Sequence, residues 1–203
     1  MLEKIIELKD GKHRLAGLLH LPSKLFHPSP AVIYCPGKNG ERSDIHRIAV
    51  TFSRKMAANG ITVLRFDYFG IGISDGHYYE MTSSTKVSNI LAAYQYLQSL
   101  DEVDNKKIVM LGFSDGARNV LLATSKTDVK HILLWSPLFF ELGSNLPNNR
   151  KVRFHRHPRN HNVLVTPWNG LWVSLDFYRD LQRQSIDESL RLYTGNSLII
   201  HGD

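Results

Sequence analysis

Residues Gly112-Phe113-Ser114-Asp115-Gly116 place a serine two positions from a glycine on either side. Acyl transfer through a serine needs its hydroxyl presented on a strained turn, a base to take its proton, and N–H groups to hold the developing oxyanion. Glycines at this spacing serve that purpose, because residues without Cβ let neighbouring backbone pass close to the serine. The pattern gains force from its context. An apolar run at 108–111 predicts a strand before it, and helical spacing over 115–123 predicts a helix after it, a setting that lifts the serine to the carboxyl end of a sheet. Asp115 admits two readings: an acid in the first helical turn, favoured by the helix dipole, or a carboxylate facing a pocket, where it attracts a cationic substrate group.

The elements that would hold this serine alternate along the chain. Segments 5–8 and 15–21 flank the turn Asp10-Gly11-Lys12 and predict a hairpin. A strand at 31–35 ends in Pro36-Gly37, and a helix over 44–58 follows through Ile45, Ile48, Ala49, Phe52 and Met56, stopping at Gly60. Then come a strand at 61–64, a helix capped by Ser83 or Ser84 and carrying Val87, Ile90, Leu91, Tyr94 and Leu97, and strands at 107–111 and 132–135. Continuous apolar strands alternating with amphipathic helices predict an α/β fold, a mostly parallel, doubly wound sheet with helices on both faces. From about 138 to 190 the alternation breaks. That stretch is loop-rich, with a helix at 175–184, and reads as a lid inserted over the sheet edge within a single domain spanning 1–203; a strand at 197–200 resumes the sheet.

Taken together, the serine motif, the strand order and two further segments resemble the α/β-hydrolase family, particularly its compact serine esterases, thioesterases and serine-aminopeptidase-like members. Pro36-Gly37-Lys38-Asn39-Gly40 stands where that family has His-Gly-x-x-Gly. The resemblance implies that Ser114 is the nucleophile and that the backbone N–H groups of Lys38 and Asp115 form the oxyanion hole, each donor worth about 2.7 to 4 kcal/mol. The Lys38 side chain is then expected to point toward the pocket or its rim. Residues 65–76 resemble the family's R-x-D-x-R-G-H-G-x-S-D-G stretch, with Phe69 and Ile71 departing from it, and the segment is structural there. It is no nucleotide site, since Gly70-x-Gly72 lacks a third glycine at position 75 and the chain has no Walker sequence. No cofactor or metal is called for.

The family's order is serine, acid, histidine, with the acid three residues beyond the glycine that follows the 197–200 strand. Gly202 puts that acid at position 205, past Asp203; Asp203 itself matches the other aspartate of the G-D-x-D pattern and is carried as the candidate acid. The histidine should come later still, so the chain reads as the carboxyl-terminally incomplete form of a hydrolase of about 250 residues. His155, His157 and His161 lie in the insertion, from which a histidine could reach Ser114, because triads are defined by geometry rather than order. The resemblance therefore implies a serine hydrolase acting on a carboxylic ester, thioester or amide of small-molecule size. The alternative is a non-catalytic relative that binds a ligand or partner.

Composition bounds these readings. With 203 residues, 42% hydrophobic and 22% charged, the chain can bury roughly 70% of its unfolded surface without staples. Its one cysteine, Cys35, points to a reducing, cytoplasmic setting. The amino terminus mixes charges into its apolar residues, unlike a signal peptide, and the longest apolar run, 132–140, is far short of the ~20 residues of a membrane helix. The net charge of +6 is local: Arg150, Lys151, Arg153, Arg156 and Arg159 lie in one stretch, and without them 20 basic residues face 19 acidic ones. A solvated lid, or one that steers an anionic substrate, accounts for this segment better than nucleic-acid binding. The oligomeric state is not legible.

Overall fold

In the computed structural model, which describes residues 1–23, 28–139 and 152–202, β1 (Leu2–Asp10) and β2 (His13–Leu21) pair as an antiparallel hairpin. They join β3 (Ser29–Cys35), β4 (Thr62–Phe66), β5 (Val103–Phe113), β6 (His131–Trp135) and β10 (Asn196–Ile200) in one sheet of order β1-β2-β4-β3-β5-β6-β10. From β4 onward every neighbouring pair is parallel. Successive side chains of a strand point to opposite faces, so the burial of residues 31–35 of β3 and of all of β4 places covering layers on both sides of the sheet. Ile33 and Leu64 join the core that holds Ile90 and Leu97 of α2 (Ser83–Gln98) and Val120 of α3 (Asp115–Thr124). Their neighbours Val32, Tyr34 and Val63 pack instead with Ala49 and Phe52 of α1 (Ile48–Ala58). The sheet is thus covered on both faces, as the alternation predicts.

Two helix starts differ from expectation. The first begins at Ile48 rather than at 44, because Asp44, His46 and Arg47 take φ of 54°, 50° and 60° around a single 3-10 turn, Ile45–Arg47. Asp44 binds outside the helix, accepting from the Ile45 N–H at 2.8 Å and the Tyr34 hydroxyl at 3.1 Å. The cap of α2 is Thr82, whose hydroxyl accepts from the Thr85 N–H at 3.1 Å. Ser83 lies inside the helix, buried, and donates to Asn119 Oδ1 at 2.5 Å.

The stretch expected to be loop-rich holds a second, antiparallel sheet of β7 (His155–Arg156), β8 (Leu164–Trp168) and β9 (Leu171–Ser174), followed by α4 (Leu175–Gln182) and α5 (Ile186–Leu192). The strands were masked in sequence by their shortness, yet Asn169-Gly170 is a two-residue hairpin signal, and both residues adopt positive φ, 48° and 79°. Likewise Ser185-x-x-Glu188 marks the start of α5, with Ser185 Oγ accepting from the Glu188 N–H at 3.1 Å. Helix α4 is fastened to α2 through Asp180, which accepts from the Ser84 N–H at 2.7 Å and hydroxyl at 2.6 Å. Among the described residues no helix is long and apolar enough to cross a membrane.

The hairpin carries a buried titratable group. His20 on β2 is fully buried opposite Glu3 of β1. Arg65 Nε donates to His20 Nε2 at 2.8 Å, so the ring is neutral and its proton sits on Nδ1, 3.4 Å from Glu3 Oε1. Burial, with the Arg65 charge beside it, pushes the His20 pKa down to about 4. An unfolded histidine titrates near 6.5, so between these values the unfolded chain binds a proton that the folded chain does not. Stability should therefore fall as pH drops from about 6.5 toward 4. Urea unfolding at pH 7, 5.5 and 4.5 should show this loss, and His20→Gln, which retains an acceptor for Arg65, should flatten it. An unchanged pH slope in the variant would contradict the assignment.

Candidate active site

Ser114 occupies the junction of β5 and α3 at φ 53°, ψ −120°, a backbone conformation that costs a non-glycine residue of order 1–3 kcal/mol. Its own peptide groups hold it there. The Ser114 N–H donates to the Trp135 carbonyl at 2.9 Å, and its carbonyl accepts from the N–H groups of Ala117 and Leu138, each at 3.1 Å. The flanking glycines allow the turn: a Cβ on Gly112 would strike the Ala117 backbone, and one on Gly116 would strike the carbonyl oxygens of Cys35 and Pro36. The loop after β3 consequently lies against the serine, close enough that a Cβ on Gly37 would sit 3.5 Å from Ser114 Cβ.

Asp115 is the first residue of α3, so its N–H has no acceptor within its own helix. Its carboxylate does not face a pocket, which corrects the second of the two sequence readings. It is fully buried, receiving Lys86 Nζ at 2.8 Å, Arg118 Nη2 at 2.5 Å and Asn119 Nδ2 at 3.0 Å. Burial works to raise its pKa, but the two cations outweigh that and hold it below the ordinary carboxylate value. Lys38 follows Gly37 in the loop, and its side chain is buried against β8 and α4, with Nζ 4.4 Å from the Trp168 ring centroid and 4.6 Å from that of Phe177.

Lys86 escaped the sequence reading. It is fully buried, donates to the Lys38 carbonyl at 3.1 Å as well as to Asp115, and lies 5.0 Å from the Tyr68 ring centroid. The signal was present: positions 86, 90, 93 and 97 form one buried stripe of α2, and a lysine interrupts it.

The remaining candidates are dispersed. Asp203, Arg150 and Lys151 lie outside the described residues. His155 and His161 are exposed. His157 is buried, its ring centroid 4.4 Å from that of Tyr79 and its Nδ1 accepting from the N–H groups of Arg159 and Asn160 at 3.2 and 3.1 Å. Among the described residues no histidine or carboxylate is hydrogen-bonded to the Ser114 hydroxyl, and Arg153, Arg156 and Arg159 are exposed. The 65–76 segment has the structural part expected of it: Asp67 accepts from the N–H groups of Arg42 and Ile73 at 2.6 and 3.1 Å and pairs with the Arg42 guanidinium.

Between the Tyr78–Glu80 turn and the small sheet lies a cavity of about 780 Å³, lined by His77, Tyr79, His157, Arg159 and Trp172 among others. Its wall connects to the serine's surroundings, since the Tyr78 hydroxyl donates to Asn39 Oδ1 at 2.5 Å, one residue beyond Lys38.

The model of the esterase FrsA-like family matches residues 2–152. Esterase FrsA of Yersinia enterocolitica is 28% identical over 153 residues, covering 74% of this chain and 35% of the relative. Esterase FrsA of Photorhabdus laumondii is 32% identical over 135 residues, covering 64% and 30%. The chain thus matches about a third of the length of these curated relatives. Among solved structures, Est1E from Butyrivibrio proteoclasticus with ferulic acid bound superposes with a TM-score of 0.82 at 25% identity, covering 98% of this chain and 78% of that one. The α/β hydrolase GrgF from Penicillium sp. sh18 gives 0.77 at 16% identity, covering 99% and 80%, and shares the fold.

Proposed function

The chain belongs to the esterase FrsA-like family of α/β hydrolases, and from that premise we propose that it hydrolyses a carboxylic ester through an acyl intermediate on Ser114. The observation that carries this reading is the Ser114 backbone, held at φ 53° between strand and helix with the Gly37 loop against it. A serine held in a conformation costly to a non-glycine residue, on a turn between strand and helix, supports its reading as a nucleophile elbow.

In this reading Ser114 Oγ attacks the ester carbonyl as a base takes its proton, and the oxyanion of the tetrahedral intermediate is received by the N–H groups of Lys38 and Asp115. Collapse expels the alcohol and leaves acyl-Ser114, which water then cleaves. A thioester or amide would follow the same course with a thiol or amine leaving. The insertion serves as a lid, and the aromatic-walled cavity, within the size range of small-molecule sites, takes the part of the substrate remote from the scissile bond. Ferulic acid bound to Est1E supports an ester of an aromatic acid as the substrate class. Asp203 is retained as the candidate acid. A reducing, cytoplasmic setting suits Cys35, which is buried with its thiol pKa pushed up by that burial.

A second reading, a ligand-binding protein that does not turn over, draws on the lack of a base hydrogen-bonded to the Ser114 hydroxyl among the described residues. A fluorophosphonate probe separates the two, because only an activated serine is modified quickly. Labelling of the native chain within minutes, lost on denaturation and in Ser114→Ala, is expected. Labelling no faster than that of the denatured chain would favour the binding protein.

A further inference from the structure

The ammonium of Lys86 joins two segments that are otherwise separate in the chain, the loop after β3 and the first turn of α3. It donates to the Lys38 carbonyl at 3.1 Å and to Asp115 Oδ2 at 2.8 Å, from a side chain with no exposure. Burying a lysine in this way is costly unless its donors are satisfied. Charge balance does not account for it, since Arg118 already pairs with Asp115 at 2.5 Å and Asn119 adds a further donor at 3.0 Å. Beyond its bond to Asp115, Lys86 supplies the bond to the Lys38 carbonyl, which ties the loop after β3 to the first turn of α3. That carbonyl lies in the Lys38–Asn39 peptide plane, one φ/ψ pair away from the plane that carries the Lys38 N–H. Holding it therefore restrains, through the Lys38 backbone, the direction of that N–H relative to that of Asp115.

We propose that Lys86 is a positioning residue for the oxyanion hole, setting the separation of the Lys38 and Asp115 N–H groups by bridging the Lys38 carbonyl and the Asp115 carboxylate. The inference rests on the reading of those two amides given under Proposed function. It does not require Lys86 to touch substrate. Oxyanion donors act by being aimed in advance at the position where charge develops, and a displacement of about 1 Å can cost on the order of a hundredfold in rate.

The test compares Lys86→Met, which removes both hydrogen bonds at similar volume, with Lys86→Met/Asp115→Asn, which also removes the carboxylate charge that the first change leaves with one cation fewer. Backbone amide hydrogen exchange of residues 37–40 reads positioning without any need for turnover. Exchange at least about tenfold faster in both variants is expected from the range over which local opening shifts, with thermal stability lower still in the double variant, where buried Arg118 loses the carboxylate that pairs with it. Exchange at the native rate in either variant would overturn the proposal, because the bridge would then be dispensable or merely balance charge. In Ser114-dependent ester hydrolysis the expected effect is a fall in kcat of about a hundredfold in both variants with KM within about twofold, the mark of an interaction made in the transition state. Recovery of kcat in the double variant, or a rise in KM alone, would overturn it. Should the parent chain show no Ser114-dependent hydrolysis, the proposed reaction fails, whereas the exchange comparison still decides whether Lys86 holds the loop.

Discussion

Ser114→Ala should lower hydrolysis of a p-nitrophenyl ester by about 10³-fold or more, to a rate set by whatever binding and oxyanion stabilisation remain, because the group that forms the covalent bond is gone. The fold should tolerate the change. The turn is held by the backbone groups of Ser114 and by the glycines at 112 and 116, none of which the substitution removes, and alanine replaces the serine without adding volume. Thermal unfolding within a few degrees of the parent, together with lost activity, is therefore the expected pair of results, read by initial rates and by circular dichroism melts. A variant that kept a tenth or more of the parent rate would show that hydrolysis does not pass through this serine.

Asp115→Ala should act on stability rather than chemistry alone. The substitution leaves Lys86 and Arg118, both buried, without the carboxylate that compensates them. Removing one partner of a buried ion pair costs about 3–5 kcal/mol, a large part of the roughly 5–15 kcal/mol that holds a domain folded. At about 2–4 °C per kcal/mol for a chain of this size, the melting temperature should fall by on the order of 10 °C. Burial has already lowered the Lys86 pKa, so loss of its proton can absorb part of that cost, and raising the pH from 7 to 9 should narrow the gap between variant and parent. A melting temperature within about 2 °C of the parent would mean that this network contributes little.

The two sequence features that mattered most were steric and periodic. Glycines at 112 and 116 announced a close backbone approach through their spacing about the serine, and the apolar strands at 31–35 and 61–64 announced a sheet covered on both faces. The small second sheet was less legible because its strands are short: β7 spans two residues, and β8 contains Pro167. There the local chemistry of Asn169-Gly170 and of Ser185 with Glu188 spoke more clearly than any hydrophobic period. The site's polar interior was hidden for a different reason. Lys86 meets Asp115 across 29 positions and the Lys38 carbonyl across 48, so only the anomaly of a cation in an apolar helical stripe could have flagged it. Asp115 shows the converse. Its place in the helix was read correctly, while the direction of its carboxylate depended on Lys86 of another helix as well as on Arg118 and Asn119 of its own.

The central claim is that Ser114 carries the acyl group, and the mass of one peptide tests it most directly. Trypsin should release residues 108–118, in which Ser114 is the sole hydroxyl-bearing side chain. After brief reaction with a p-nitrophenyl ester and an acid quench, that peptide should gain the mass of the acyl group, and the gain should vanish in Ser114→Ala and on prior denaturation. Turnover of the ester with this peptide unmodified at every quench time, and the acyl group found on another residue, would contradict the account.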